Sequence, residues 1–250
     1  MDVRVERGER FASLRSSGSL AVRTRGAEAW LVGAAAHPIG GDRLRVGVGV
    51  GSGAELVVRS TSATLARASC PPRPSLLEVA VDVEGGGCLT WAPEPGVAGS
   101  GADHVTSTVV RLAPGARLCW SEVIVLGRHG ENPGSWATRL RIEMDGQPVL
   151  ASELGLGPGH AAWGSSAVLG GARCLWTLLV IDAGPAEVRT CGAVDRGGVV
   201  VPVGALGSQA TTWGATPSAC AWTMTALGAR QLVEGFGAAV AHLPLGPVST

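Results

Sequence analysis

A period of two constrains this sequence more than any other feature. Leu44, Val46, Val48 and Val50 alternate with Arg43, Arg45, Gly47 and Gly49. Successive side chains of a strand point to opposite faces, so these aliphatics fall on one face of a sheet. The pattern returns in Leu77, Val79, Val81 and Val83 against Glu78, Ala80, Asp82 and Glu84, and again in Trp136, Thr138, Leu140, Ile142 and Met144. Three such strands argue against a helical architecture. Further runs at Val105 to Leu112, Arg117 to Leu126 and Val149 to Leu156 are separated by Ala113-Pro114-Gly115, Asp145-Gly146 and Gly157-Pro158-Gly159, which carry turn chemistry. With 38 Gly and 15 Pro punctuating the apolar runs, the expected fold is mainly β. It reads as stacked or superhelical sheets of many short antiparallel strands, connected as meandering hairpins.

Helical spacing is clear only near the end. Leu232, Val233, Phe236, Val240 and Leu243 fall near one face of a helix predicted at about 226–242, weakened by Gly228, Gly235 and Gly237. One or two minor helices are therefore expected, one of them C-terminal. Periodicity is weaker over 184–250. A chain of 250 residues can bury a sizeable core, and a single domain over 1–250 is expected.

Charge and composition narrow the chemistry. The 20 basic residues balance 20 acidic ones, which leaves no net field to attract nucleic acid or an anionic membrane surface. All 20 basic residues are Arg, so P-loop, Schiff-base and general-base lysine chemistry drop out. A coding bias towards G+C accounts for the missing Lys and Tyr without functional content. The charged N-terminus, Met1-Asp2-Val3-Arg4-Val5-Glu6-Arg7, lacks the apolar stretch of a signal peptide, and no run approaches a membrane span. A cytoplasmic location is expected. Cys70, Cys88, Cys119, Cys174, Cys191 and Cys220 occur singly, which suggests neither a zinc knuckle nor a disulfide framework, and most are expected to be buried thiols.

Familiar catalytic motifs fail on context. Gly49, Gly51 and Ala54 satisfy the spacing of a dinucleotide fingerprint, but Glu55-Leu56-Val57-Val58-Arg59 continues as a strand where that fingerprint needs a helix. A glycine-rich hairpin fits better. No serine has the flanking glycines of a nucleophile elbow, and no His-Glu-x-x-His occurs. His37, His104, His129, His160 and His242 are too dispersed to argue ligand spacing. No tightly held metal or other cofactor is expected.

Three polar positions stand out. Glu122 interrupts the apolar run Cys119-Trp120-Ser121-Glu122-Val123-Ile124-Val125-Leu126, and on a buried face it would need a partner. Glu153 interrupts Ala151-Ser152-Glu153-Leu154 in the same way. A solvated strand face is the ordinary account of each, because buried carboxylates are uncommon, and an internal passage or interface is the alternative. Asp42 follows Gly40-Gly41, a pair that permits a turn closed to other residues and can aim the next side chain inward. An ordinary turn aspartate is the alternative.

The stretch Val32-Gly33-Ala34-Ala35-Ala36-His37-Pro38-Ile39-Gly40-Gly41-Asp42-Arg43-Leu44 resembles the Gly-Gly-Asp signature of the UreD family of urease accessory proteins, called UreH in some systems. The order of the downstream segments agrees: Thr61-Ser62-Ala63-Thr64, Leu89-Thr90-Trp91-Ala92-Pro93-Glu94, Leu112-Ala113-Pro114-Gly115-Ala116, then Trp120-Ser121-Glu122 leading into Leu126-Gly127-Arg128. Arg139-Leu140-Arg141, Asp145-Gly146-Gln147-Pro148-Val149-Leu150 and Gly171-Ala172-Arg173 extend the likeness, which is strongest over 20–182. Leu65-Ala66-Arg67 and Gly96-Val97-Ala98-Gly99 depart from it, since the family commonly has aromatic residues there.

The resemblance implies a non-catalytic maturation factor with a fold of stacked sheets. Such a protein bridges apo-urease and UreF, and through UreF the GTPase UreG, in a hetero-oligomer. It also implies an internal passage for transient nickel, with Asp42 at the Gly-Gly-Asp aspartate, Thr64 where the family often has Ser, and Glu122 and Glu153 near acidic family positions. Weak, replaceable oxygen ligands suit transit, because a closed His/Cys site would hold the metal. Two alternatives stay open from the residues themselves. One is an unrelated β-sandwich binding module for carbohydrate or peptide; the other is a metallohydrolase in which His37, His104 or His129 converge.

Overall fold

In the computed structural model, the described residues are 2–6, 10–165, 168–169, 172–182, 200–203 and 218–226. The chain opens with a hairpin of β1 (Asp2–Glu6) and β2 (Arg10–Arg15), followed by a second of β3 (Leu20–Arg25) and β4 (Glu28–Gly33). It then alternates between two sheets. β5 (Arg43–Val50) lies in one; β6 (Glu55–Ser60) and β7 (Thr64–Ala66) lie in the other. The path repeats with β8 (Ser75–Val83), then β9 (Cys88–Trp91) and β10 (Gly96–Ala98). It repeats once more with β11 (Asp103–Leu112) and β12 (Arg117–Leu126). β13 (Ser135–Met144) and β14 (Gln147–Leu156) close the first sheet, while β15 (Cys174–Asp182), β16 (Val200–Val203) and β17 (Ser218–Ala226) extend the second.

Because the chain crosses to the opposite sheet after each of β5, β8 and β11, the strands of these central circuits pair with ones a full circuit away. β5, β8, β11 and β13 therefore run parallel, as do β4, β6, β9 and β12. Stacked β-sheets are thus the architecture, but the expected antiparallel hairpins occur only at the two ends of the stack, in β1–β2, β3–β4, β13–β14 and the β12–β15–β17–β16 group. Period-two alternation is the same in both kinds of ladder, which is why it does not distinguish them. The glycine-rich stretch after Val50 is likewise not a hairpin: it carries the chain from one sheet to the other. Among the described residues there is no helix, and none long and apolar enough to cross a membrane. The helix predicted at 226–242 lies, apart from Ala226, outside them.

The short crossings share one geometry. Gly51-Ser52-Gly53-Ala54, Glu84-Gly85-Gly86-Gly87 and Ala113-Pro114-Gly115-Ala116 each close with a bond from the fourth N–H to the first carbonyl, at 3.0, 2.9 and 3.0 Å. The third residue is a glycine with φ of +66, +70 or +76°, as a type II turn requires. The turns also stack, since Glu84 N–H donates to Val50 O and Ala113 N–H to Val83 O.

This registry layers the core. Val46, Val79 and Leu140 occupy one level, Val48, Val81, Val110 and Ile142 the next, and Val50, Val83 and Leu112 the last. Leu56, Leu89 and Leu118 meet them from the opposite sheet, beside Val58, Trp91 and Trp120. Outward positions carry cross-strand ion pairs such as Arg45–Glu78 at 2.6 Å, which are exposed and add little stability. Of the cysteines whose side chains are described, Cys119 and Cys174 are buried, Cys88 is partly buried and Cys70 is exposed.

Glycine substitutions separate turn strain from close approach. Gly115→Ala meets nothing nearer than Gly86 N at 3.8 Å, so only its positive φ is penalised, by about 1 kcal/mol. Gly40→Ala drives a Cβ into the Arg73 carbonyl oxygen and the Ser69 hydroxyl, and should cost about 3 kcal/mol or more. Urea unfolding midpoints of the two variants check this; equal losses would refute the close-approach account.

Candidate functional site

The inner face of β11 is aliphatic at the end where the short turns stack and becomes polar towards the other, where Ile124, Leu126, Trp136 and Leu156 form a second apolar cluster. Along β11 the inward residues run Leu112, Val110, Thr108, Thr106 and His104, all buried. Towards this end a half-open cavity of about 380 Å³ lies between the sheets, bordered by the exposed residues Ala35, Ala36, Ser62, Ala63 and Arg67.

Breaks in the second sheet create the space. β6 stops at Ser60 and resumes as β7 at Thr64, and β9 stops at Trp91 and resumes as β10 at Gly96. Pro93 and Pro95 fall in the second break, where a residue without an N–H cannot continue a ladder. Ser60 ties the breaks together: its Oγ accepts from Glu94 N–H at 2.9 Å and donates to Ser62 O at 3.0 Å. β12 runs unbroken. It pairs with β9 as far as Trp120↔Trp91 and with β10 from Ile124↔Gly96, so Ser121, Glu122 and Val123 pass the break and Glu122 faces the cavity.

Glu122 is deep in the protein but keeps partial access to the cavity space. Thr138 Oγ1 donates to its Oε2 at 3.0 Å, supplying the partner that a carboxylate on a buried face requires. Desolvation pushes the carboxyl up to about 7, against the opposing pull of that hydrogen bond. His37, Arg67 and Glu94 also line the cavity, and Arg67 and Glu94 are exposed, at the rim. Among the described residues lining the cavity, Glu122 is thus the acidic group that lies deep rather than at the rim.

Tryptophans form much of the wall. Trp91 and Trp120 stack with centroids 4.7 Å apart and planes 2° from parallel. Trp136 packs its ring against Gly96, where any Cβ would collide with it. His104 sits edge-on to Trp136 at 4.3 Å, fully buried, with Nδ1 2.8 Å from Ser75 Oγ. Burial lowers its pKa to about 4, so the ring is neutral.

The sequence-predicted site residues separate into three places. Thr64 and Glu122 line the cavity. Asp42 closes its own turn: Oδ2 accepts from Ile39 N–H at 2.8 Å, and its backbone N–H donates to Ile39 O at 2.9 Å. Gly41 has φ +94°, and Gly40 lets the loop approach Arg73 and Ser69. The Asp42 carboxylate lies near His37 and opposes the burial that lowers the pKa of that ring. Glu153 is on the outer face of β14, bound to Arg139 at 2.9 Å, with the two side chains 64% and 56% exposed. Of the histidines weighed as a metal set, His104 is buried, His37 lies at the rim and His129 is exposed. Among the described residues no three of His, Cys, Asp or Glu come together as a metal centre. Thr106, Thr138 and Trp136 were not singled out from the sequence as site residues, although Thr138 and Trp136 belong to the inward series of β13.

Burial of Glu122 and His104 gives opposite pH dependences of stability. The folded value for Glu122, about 7, exceeds its ordinary 4.5, so the folded chain retains a proton that the unfolded chain gives up. Stability should fall as pH rises through that window, by about 3 kcal/mol at most. For His104 the folded value, about 4, lies below 6.5, so stability should fall as pH drops through that range. Thermal melts across pH check both, and Glu122→Gln should remove the loss on the alkaline side only.

Comparison with known proteins places these features in a family. Residues 2–242 match the family model described as UreD urease accessory protein. The chain is 38% identical over 214 residues to the urease accessory protein UreD of Streptomyces avermitilis, covering 82% of this chain and 84% of that protein. It is 37% identical over 244 residues to that of Frankia alni, covering 80% and 82%, and 40% identical over 197 residues to that of Streptomyces coelicolor, covering 76% and 78%. The chain, whose two stacked sheets flank a cavity with the Glu122 carboxylate on its wall, belongs to the UreD family of urease accessory proteins.

Proposed function

We propose that this protein acts in urease maturation as a non-catalytic scaffold that bridges apo-urease and UreF, and through UreF the GTPase UreG, within a cytoplasmic hetero-oligomer. In this reading the cavity is a stretch of the passage along which nickel reaches the urease active site. The observation that carries it is the placement of Glu122: one carboxylate at a break in the second sheet, facing a half-open cavity and held by Thr138. A single oxygen-donor residue can receive a hydrated transition metal and release it, whereas convergent imidazole or thiolate ligands would retain it. Thr64 adds a hydroxyl on the same wall. Asp42 acts in this scheme through the loop it closes at the cavity rim, with His37 beside it. Glu153, on the outer face with Arg139, belongs to a surface that a partner would cover.

Urease activation in cells carrying the structural subunits and the other accessory proteins tests the passage. Glu122→Ala should lower it by about tenfold or more, while the variant still co-purifies with urease subunits; full activation would remove Glu122 from the route. Asp42→Ala should lower activation less, by loosening the rim. Failure of the unmodified chain to associate with urease subunits or UreF would overturn the bridging role itself. Because a metal contact needs the ionised carboxylate, nickel binding should weaken as pH falls through about 7, and Glu122→Gln should abolish that dependence.

A further inference from the structure

The outer face of the second sheet divides into a charged block and an apolar one. Over β6 and its neighbours it carries the ion pairs Arg59–Glu28 and Arg117–Glu55. Further along, Leu118, Trp120, Ile124 and Leu126 of β12, with Leu175, Leu179 and Ile181 of β15, belong to the apolar clusters between the sheets. Alternation therefore puts Cys119, Ser121, Val123, Val125, Cys174 and Trp176 on the outer side. The ladder to β17 extends that side in register, with Trp176 beside Met224, Leu178 beside Trp222 and Val180 beside Cys220. From Cys119 to Val125 and across to β17, these positions carry no charge.

The apolar block is covered. Cys119, Ser121, Cys174 and Trp176 are 6, 4, 2 and 1% exposed, and the Trp176 N–H donates to Ser121 Oγ at 3.0 Å. Cys119, Cys174 and Trp176 belong to neither cluster between the sheets, so the opposite sheet does not bury them. A tryptophan on a bare sheet face would stand largely in solvent: Trp30, on the outer side of β4 in the same sheet, is partly exposed. Val123 and Val125 are also partly exposed, which sets the margin of the cover along β12.

The sequence outside the described residues offers one segment suited to this role. Residues 183–199 carry Glu187, Arg189, Asp195 and Arg196, and 204–217 have only Leu206 and Trp213 as large apolar side chains. In the helix predicted near the C-terminus, by contrast, Leu232, Val233, Phe236, Val240 and Leu243 share an arc of about 100°, while Arg230, Gln231, Glu234 and His242 fall outside it. Pro244 ends that pattern. At 1.5 Å per residue, 227–243 span about 25 Å, against about 30 Å for the nine-residue strands β15 and β17. The segment follows directly from Ala226, which pairs with Cys174 at one end of the block.

We infer that residues 227–243 form an amphipathic helix that docks its Leu232, Val233, Phe236, Val240 and Leu243 face on the outer side of β15 and β17, so that the chain's own C-terminal segment closes this surface. Gly228, Gly235 and Gly237 leave such a helix unstable by itself, so docking and helix formation are one event. The inference is independent of the nickel passage. Its consequence for the bridging role is that partners meet other surfaces of the scaffold.

Maleimide labelling of the full chain, read cysteine by cysteine by mass spectrometry, tests the docking. Cys70, which is exposed, should react fastest, and Cys119 and Cys174 slowest. Phe236→Asp should speed labelling of Cys119 and Cys174 by about tenfold or more, and Val240→Ala by about threefold, whereas Glu234→Gln on the polar side should change neither. Amide hydrogen exchange in β5 and β8 of the other sheet reports whether the rest of the fold is intact; if Phe236→Asp loses it, Val240→Ala decides. Unchanged protection of both cysteines in Val240→Ala, or in a folded Phe236→Asp, would overturn the inference. Protection that the unmodified chain loses on dilution would assign the cover to a second copy and overturn it equally.

Discussion

Parallel registry between successive circuits is the constraint on which the rest of the molecule depends. Val50, Val83 and Leu112 end their strands at one level, so each chain segment enters its crossing at the same height and the three type II turns stack. A one-residue slip in any circuit would turn its aliphatic row outward and its charged row inward. It would also move Gly53, Gly86 or Gly115 off the position that needs a positive φ. Hydrophobic burial and turn geometry therefore enforce the same register, and the aliphatic layers at the turn end hold the two sheets in place where strands of the second are interrupted further along.

Those interruptions explain the site. In the second sheet β6 and β9 break at neighbouring positions while β12 does not. The two broken strands leave their space, and the continuous one places a carboxylate beside it. Thr138 reaches Glu122 across the sheets because β13 follows the same registry as β11 and β8. The cavity is thus a consequence of one continuous strand in a sheet of interrupted ones, and the carboxylate needs no loop to position it.

Much of this was legible in the sequence. The alternation over Leu44 to Val50 and Leu77 to Val83 identifies two strands and their buried faces, and a carboxylate within the apolar run around Glu122 marks a position needing a partner. Strand direction was not legible, because alternation is identical in parallel and antiparallel ladders. A cue existed in the recurrence of four-residue turns with glycine third, at Gly53, Gly86 and Gly115, at the ends of successive aliphatic runs. Asp42 illustrates the limit of local reading: Gly-Gly before an aspartate indicates an unusual turn, but only the Ile39 N–H at 2.8 Å shows where the carboxylate goes. Thr106 escaped notice because a threonine is ordinary on a strand face, and its missing partner is visible only in three dimensions.

The polar end of the core is costly. An unsatisfied buried polar group destabilises by about 1–3 kcal/mol, and Thr106, Trp136 and His104 each present one, beside a carboxyl whose charge is disfavoured by its surroundings. Leucine or valine at those inward positions would continue the aliphatic layers already present at the turn end and would close the cavity. A chain that had only to fold would gain from that exchange. The contrast along β11, from Leu112 and Val110 to Thr106 and His104, sets a polar strip against the cavity, next to a second apolar cluster that includes Ile124, Leu126, Trp136 and Leu156. That strip carries the space, the carboxylate and buried polar atoms without protein partners, a cost that the proposed passage would explain.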